Sequence, residues 1–386
     1  MMNGSIKKVI YISHAQLSEK IVRDWYIDDL RLKGMNVEFW DLTHLLFDKL
    51  IEANTIHTDY LFTIRTYDEI EKRLRYPENK DATYIILVNY YGRVVRLYRL
   101  LSRYNCKLFF MAWGAFPYRT KPNWQKTIHG LFDPLKLTER VLGKAKAFLY
   151  KKLKLIKPFD VVFGAGYAIL KNFPDALKVV PTNLPDYDQY VKAKTKTTNL
   201  VDGRYIVFID AYGPLHPDLK IKGFGIADAN RYFLSLNRFL NLLEKRFGMK
   251  VVIAAHPQSD YDNDTFQGRK IYSGRTEELV RDAEIVISHY STSISYAVLN
   301  EKPAIFIYTD DMKRPYKDSL AMKIHDFANY LDAKIYNIDE MSRCDQIDVS
   351  DINLECYEKY KYNYLTTRES EHTTALEIFW REIINN

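Results

Sequence analysis

Short apolar runs recur along this chain, and most are followed by a stretch with apolar and charged residues at helical spacing. In the first half the runs are Lys8–Ser13 (KVIYIS), Val37–Trp40, Tyr84–Asn89 (YIILVN), Lys107–Trp113 (KLFFMAW), Asp160–Gly164 (DVVFG) and Lys178–Val180. A continuous apolar run of this length is what a strand buried on both faces requires. Between them, Ala15–Lys33, stopped by Gly34, and Gly92–Tyr104 carry the helical period. Strand and helix in alternation predict an α/β fold, a parallel sheet with helices on both faces.

The pattern repeats further on. Residues 191–204 (VKAKTKTTNLVDGR) are polar and lack apolar periodicity, so they are expected to link two domains. A second α/β unit follows, with strands at Tyr205–Asp210, Lys250–Ala255, Arg269–Tyr272, Glu284–Ser288 and Pro303–Tyr308. Its helices are Ala229–Phe247, closed by Gly248, then Thr276–Asp282 and Ser293–Asn300. The predicted organisation is 1–190, linker 191–204, 205–345, and a helical segment 346–386 packing back toward the first domain. Two open α/β units in series imply a central cleft, with ligands outside the carboxyl ends of the strands.

Three strand ends of the second unit carry polar groups: Asp210 before AYGPLHPD, His256–Pro257 before QSDY, and His289 before YSTSIS. In a parallel sheet these ends share one edge. Ser291, Thr292 and Ser293 supply hydroxyls and backbone N–H groups suited to a phosphate; the alternative is an ordinary helix N-cap. His256, fixed by Pro257, can donate to a phosphate or protonate a leaving phosphate oxygen; the alternative is a turn histidine without a role. Asp210 can take a proton from a hydroxyl or simply cap its turn. His216 and Asp218 are rival candidates, His289 is a neighbour of the hydroxyl cluster, and Thr276 joins the nucleotide-binding set.

Some chemistries are disfavoured. G-x-G-x-x-G is missing after the first strand, which argues against a dinucleotide site. H-E-x-x-H and Cys/His clusters are missing too, and neither a metal nor another cofactor is expected. Cys106, Cys344 and Cys356 are scattered, which fits a reducing cytoplasm. The apolar stretch near Met1 is too short for a signal peptide, and no run reaches about 18 apolar residues, so no transmembrane span is expected. The 30 Tyr and 20 Phe can offer stacking faces or serve ordinary core packing.

Charge is concentrated. Residues 135–157 hold eight Lys/Arg against one Glu, a local excess equal to the +7 of the whole protein. Leu135, Leu142, Leu149, Leu153 and Ile156 recur among the lysines at roughly helical spacing. Two readings stand: a basic amphipathic helix for an anionic membrane surface, or a solvated helix packed on its own domain. Few aromatics interleave the lysines, and nucleic acid is not expected as a partner.

AAHPQSDY and the later GRTEELVRDAEIVISHYSTSISYAVLNEKPAIFIY resemble the C-terminal half of bacterial surface-polysaccharide glycosyltransferases of the GT-B fold. The resemblance is to the sialyltransferase, polysialyltransferase and Kdo-transferase group, with its HP motif and later S motif, and it spans about residues 205–310. It implies two Rossmann-like domains, a first that takes the acceptor and a second that takes a nucleotide sugar. It further implies an inverting, metal-independent transfer, from a CMP-activated sialic-acid- or Kdo-like donor, to a surface glycan or lipid-linked oligosaccharide. By that resemblance His256, Pro257, Ser291, Thr292 and Ser293 hold the donor phosphate, with His256 as general acid. The group's acidic base motif is not present in clean form, and Asp210 stands in for it. A cytoplasmic enzyme, peripheral on the inner face of the plasma membrane, would result. Two alternatives remain: a CDP-polyol phosphotransferase of teichoic-acid type, and a non-catalytic nucleotide-binding partner in polysaccharide assembly. The former usually carries an acidic residue soon after the serines, whereas SISYAVLN follows here.

Overall fold

The computed structural model describes residues 7–47, 56–113, 116–117, 134–196, 199–215, 228–262, 264–289, 291–313 and 318–385, with side chains from 142 onward in the helix Pro134–Lys152 and from 320 onward in the helix Asp318–Leu331. The chain forms two units. One comprises Met1–Gly114, Thr120–Thr182 and Glu369–Asn386; the other comprises Ala115–Arg119 and Asn183–Arg368.

The first unit is built on β1 (Lys8–Ser13), β2 (Asn36–Asp41), β3 (Leu61–Thr63), β4 (Thr83–Ile86), β5 (Lys107–Met111), β6 (Val161–Ala165) and β7 (Lys178–Thr182). They pair in parallel in the order β3-β2-β1-β4-β5-β6-β7. Both faces are covered, which is why the strands read as continuous apolar runs. Ile10, Ile12, Tyr84, Ile86, Leu108 and Phe110 belong to one core. Their neighbours Val9, Tyr11, Ile85, Phe109 and Met111 belong to the other. The helix Ala375–Asn385 completes the second core with Ala375, Ile378, Phe379 and Ile383, and Phe379 meets Phe163 edge to face.

The second unit carries β8 (Tyr205–Ile209), β9 (Lys250–Ala255), β10 (Ile271–Ser273), β11 (Ile285–Ser288), β12 (Ala304–Tyr308) and β13 (Lys334–Asn337). All pairings are parallel, in the order β10-β9-β8-β11-β12-β13. The helix Ala229–Phe247 lays Tyr232, Leu236, Phe239, Leu240 and Leu243 on one face against Ile206, Phe208, Ile285 and Ile287. Its first turn is capped by the Asp228 carboxylate, which accepts from the Asn230 and Arg231 amides. Both units are thus Rossmann-like, the α/β class that the alternating pattern predicts.

Several details differ from the sequence expectation. Ala15–Lys33 is two helices, Glu19–Asp24 and Ile27–Leu32. The break is at Tyr26, whose backbone is left-handed (φ 57°) while its ring lies in the core beside Phe379. Gly92–Tyr104 opens with a 3-10 turn before the helix Val95–Arg103. β3 and β13 were not predicted; they are short, and too few apolar residues mark them. The polar stretch 191–204 holds the end of the helix Pro185–Lys194, which belongs to the second unit.

Candidate functional site

From β8 the chain steps outward through β9 to β10, then returns to β11 on the opposite flank of β8 and continues to β12 and β13. The strand order therefore reverses between β8 and β11. The crevice outside the carboxyl ends at such a reversal is where open parallel sheets bind ligands. Ile209 pairs with Ala254 on one side and with Ser288 on the other. Asp210, His256 and His289 follow these residues and so gather at one edge, as the sequence spacing predicted.

Asp210 is buried, and its carboxylate ties three segments together. Oδ1 accepts from the Tyr212 amide at 3.0 Å. Oδ2 accepts from the Tyr261 hydroxyl at 2.9 Å and the His256 amide at 3.4 Å. Burial pushes the carboxyl pKa up, and these donors pull it back. Tyr261 is raised in turn, by its own burial and by the Asp210 charge. Both oxygens of Asp210 are thus occupied within the unit.

His256 opens the turn after β9. Its carbonyl accepts from the Ser259 hydroxyl (2.7 Å) and the Ser259 amide (2.9 Å). Its ring Nδ1 accepts the Gln258 N–H at 3.2 Å. A nitrogen that accepts carries no proton, so the hydrogen of the neutral ring sits on Nε2, which is then a donor. The Tyr212 ring runs nearly parallel to the imidazole (9° between planes, centroids 6.1 Å apart).

His289 behaves differently. It is buried, with Nδ1 2.6 Å from the Ile307 carbonyl and Nε2 2.8 Å from the Tyr232 hydroxyl. The carbonyl can only accept, so Nδ1 donates to it and Tyr232 donates to Nε2. Both ring nitrogens are spent inside the fold. Tyr232 reaches this position because residue 213 is glycine: a Cβ there would lie 2.9 Å from the Tyr232 ring. Burial lowers the His289 pKa to about 4. Below pH 6.5 the unfolded chain takes up a proton that the folded one refuses, so stability falls as pH drops. The expected loss is about 1.4 kcal/mol per pH unit between 6.5 and 4. Urea unfolding across that range checks it: His289→Gln should flatten the dependence by one proton, and an unchanged slope would assign it elsewhere. Tyr232→Phe, which leaves Nε2 unpaired, should cost about 1–3 kcal/mol at pH 7.

Ser291, Thr292 and Ser293 form the turn that enters the helix Ile294–Leu299. Ser291 Oγ accepts the Ser293 amide at 3.2 Å, while Ser293 makes no side-chain cap. Ser291 thus bonds the turn as a capping serine does, Ser293 does not, and the helix starts one residue later than expected. Thr292 is exposed. Thr276 begins its helix after β10, on the same sheet edge but on the outer strand. His216 and Asp218 lie outside the described residues.

In the helix opened by Thr276, Glu278 is fully buried and held by two cations. Arg275 grips it with Nε (2.8 Å) and Nη2 (2.6 Å), and Lys196 Nζ lies at 2.7 Å. The Arg275 fork, aided by Lys196, holds the Glu278 carboxyl down to about 2 against the opposing effect of burial.

Tyr212, Gly213, Tyr232 and Tyr261 were not singled out from sequence. Tyr261 closes the AAHPQSDY segment, and that adjacency was the available signal. Among the described residues no group of three or more His, Cys, Asp or Glu is arranged to hold a metal ion, and no helix is long and apolar enough to cross a membrane.

No family model matches the chain, and no curated protein sequence matches it. Solved structures do. The chain is similar to the MurG of Acinetobacter baumannii at 12% identity, over 98% of this chain and 100% of that one, with a TM-score of 0.46. It is similar to the wall teichoic acid polymerase TagF at 10% identity, over 98% and 89%, with a TM-score of 0.48. It is also similar to the UDP-GlcNAc 2-epimerase of Methanocaldococcus jannaschii, solved with UDP-GlcNAc and UDP, at 12% identity, over 99% and 100%, with a TM-score of 0.46. Residue roles in this chain rest on its own geometry.

Proposed function

We propose that this chain is a glycosyltransferase of GT-B type whose second unit binds a nucleotide sugar at the carboxyl ends of β8, β9 and β11. The observation that carries the reading is the His256 turn. A proline-fixed imidazole stands at the strand-order reversal with its hydrogen on Nε2, as a donor to a nucleotide phosphate must. Ser291, Thr292 and Ser293 add hydroxyls from the turn after β11, the neighbour of β8. In an inverting transfer the acceptor hydroxyl gives up its proton to solvent as its oxygen bonds the anomeric carbon, the bond to the phosphate oxygen breaks, and charge grows on the leaving phosphate. His256 and the hydroxyls stabilise that charge. The HP and S-motif resemblance favours a CMP-activated sialic-acid- or Kdo-like donor, and a bacterial surface glycan or lipid-linked oligosaccharide as acceptor, at the cytoplasmic face of the membrane.

For Asp210, expected as the base, the bonds it accepts favour a second part. With both oxygens occupied by Tyr212, Tyr261 and the His256 amide, it is a positioning residue that holds the HP turn.

A thermal-shift screen with CMP, CDP, UDP and GDP tests the reading. A ligand at a hundredfold over its Kd stabilises the fold by about 2.7 kcal/mol, and CMP should give the largest shift. No shift with any of the four sinks the proposal. Asp210→Asn should weaken the nucleotide-induced shift together with transfer. A full shift with transfer lost would restore Asp210 as the base.

A further inference from the structure

The basic helix Pro134–Lys152 has two unlike sides. One is fastened to the first unit. Gly143 meets Gly92 so closely that a Cβ on Gly92 would lie 2.6 Å from the Gly143 Cα. The Ala147 carbonyl accepts the Tyr90 hydroxyl at 2.8 Å. Ala147 and Tyr150 pack against the core, and Arg99 reaches the Tyr150 hydroxyl at 3.3 Å. At 3.6 residues per turn, positions 143, 147 and 150 share this inner face.

Leu142, Ala145, Leu149 and Leu153 follow one another along the outer side, with Phe148 beside them. Leu142 is 68% exposed, Phe148 67%, Leu149 49% and Leu153 57%. Large apolar side chains left this open on consecutive turns are not ordinary solvated-helix residues. Lys144 and Lys151 flank the stripe on one edge and Lys146 on the other, with Lys152 within it. Carboxylates are sparse: Asp175, 3.5 Å from Lys151, is the acidic partner found among the described residues for the lysines of this face.

We propose that this outer face docks on an anionic lipid bilayer, with Leu142, Phe148, Leu149 and Leu153 in the boundary between headgroups and acyl chains and the lysines against anionic headgroups. Charge complementarity selects the occupant, because the cations border the apolar stripe in the arrangement an interfacial helix uses. A nucleic acid would use the lysines but leave the leucines in water. The proposal does not depend on the transfer reaction.

Vesicle co-sedimentation of the whole chain tests it, using phosphatidylcholine alone and phosphatidylcholine with about 30% phosphatidylglycerol. The wild type should partition at least about tenfold more strongly onto the anionic vesicles, and less so as salt shortens the screening length. Replacing Leu142, Leu149 and Leu153 by serine should lower binding about tenfold or more. Replacing Lys144, Lys146 and Lys152 by glutamine should lower it about 100-fold, from roughly fivefold per cation. None of these side chains enters the core, and an unchanged melting temperature confirms that each variant is folded. Equal binding to both vesicles, or serine variants that bind as the wild type does, overturns the proposal. So does equally tight binding to single-stranded RNA that ignores the serine substitutions.

Discussion

His256→Ala is expected to lower the rate of sugar transfer about 10²–10⁴-fold, the range lost when a positioned proton donor is removed. Measured as nucleotide release from the donor, the loss should appear in kcat, because the missing donor acts on charge that develops as the bond breaks. The melting temperature should hardly move. The side chain accepts from the Gln258 amide and lies parallel to the Tyr212 ring, whereas the bond that fixes the turn to Asp210 comes from the backbone N–H and survives the substitution. Wild-type turnover in this variant would remove His256 from the chemistry. A variant that fails to fold would show the imidazole to be structural.

The second large effect concerns stability. Replacing both Arg275 and Lys196 by methionine leaves the Glu278 carboxylate buried without a counter-charge, at an expected cost of about 3–5 kcal/mol. Each single replacement should cost less, since the remaining cation still touches Glu278. The pH dependence carries a sign. Glu278 has a depressed folded pKa, so its contribution is present above the ordinary carboxylate value near 4.5 and is lost as pH falls toward about 2. In the double variant that acid limb should vanish, because a carboxyl without cations in a buried site prefers to be protonated. Chemical denaturation at pH 7 and pH 3 reads both quantities. A double variant as stable as the wild type would mean that water reaches Glu278. Asp210 works in the opposite direction: burial raises its pKa, so protonation on acidification relieves a cost.

The strands were legible because burial on both faces writes itself as an unbroken apolar run, and β1 and β9 match their runs residue for residue. The helix Ala229–Phe247 was legible to its last residue, since its period and Gly248 agree. The grouping of Asp210, His256 and the Ser291–Ser293 turn at one edge followed from parallel pairing alone. What each polar group does there did not. Nothing local distinguishes the inward imidazole of His289 from the turn imidazole of His256. The difference comes from Tyr232, which lies far away in sequence and is admitted by the bare Cα of Gly213. Asp210 likewise showed only its place at a strand end, and the Tyr261 hydroxyl that bonds it arrives from another loop. The break at Tyr26 escaped because the ring's place in the core, not the local period, sets its backbone.

The helix Ala375–Asn385 belongs to the first unit, yet the ribosome makes it after all of the second. Until then the core on one face of the seven-stranded sheet, which includes Tyr26 and Phe163, has no Phe379 to close on. The second unit, contiguous from Asn183 to Arg368 apart from Ala115–Arg119, can complete itself first. The first unit therefore waits for the helix that closes its core until the second unit has been made. A fragment ending at Thr182 would keep that sticky face for good.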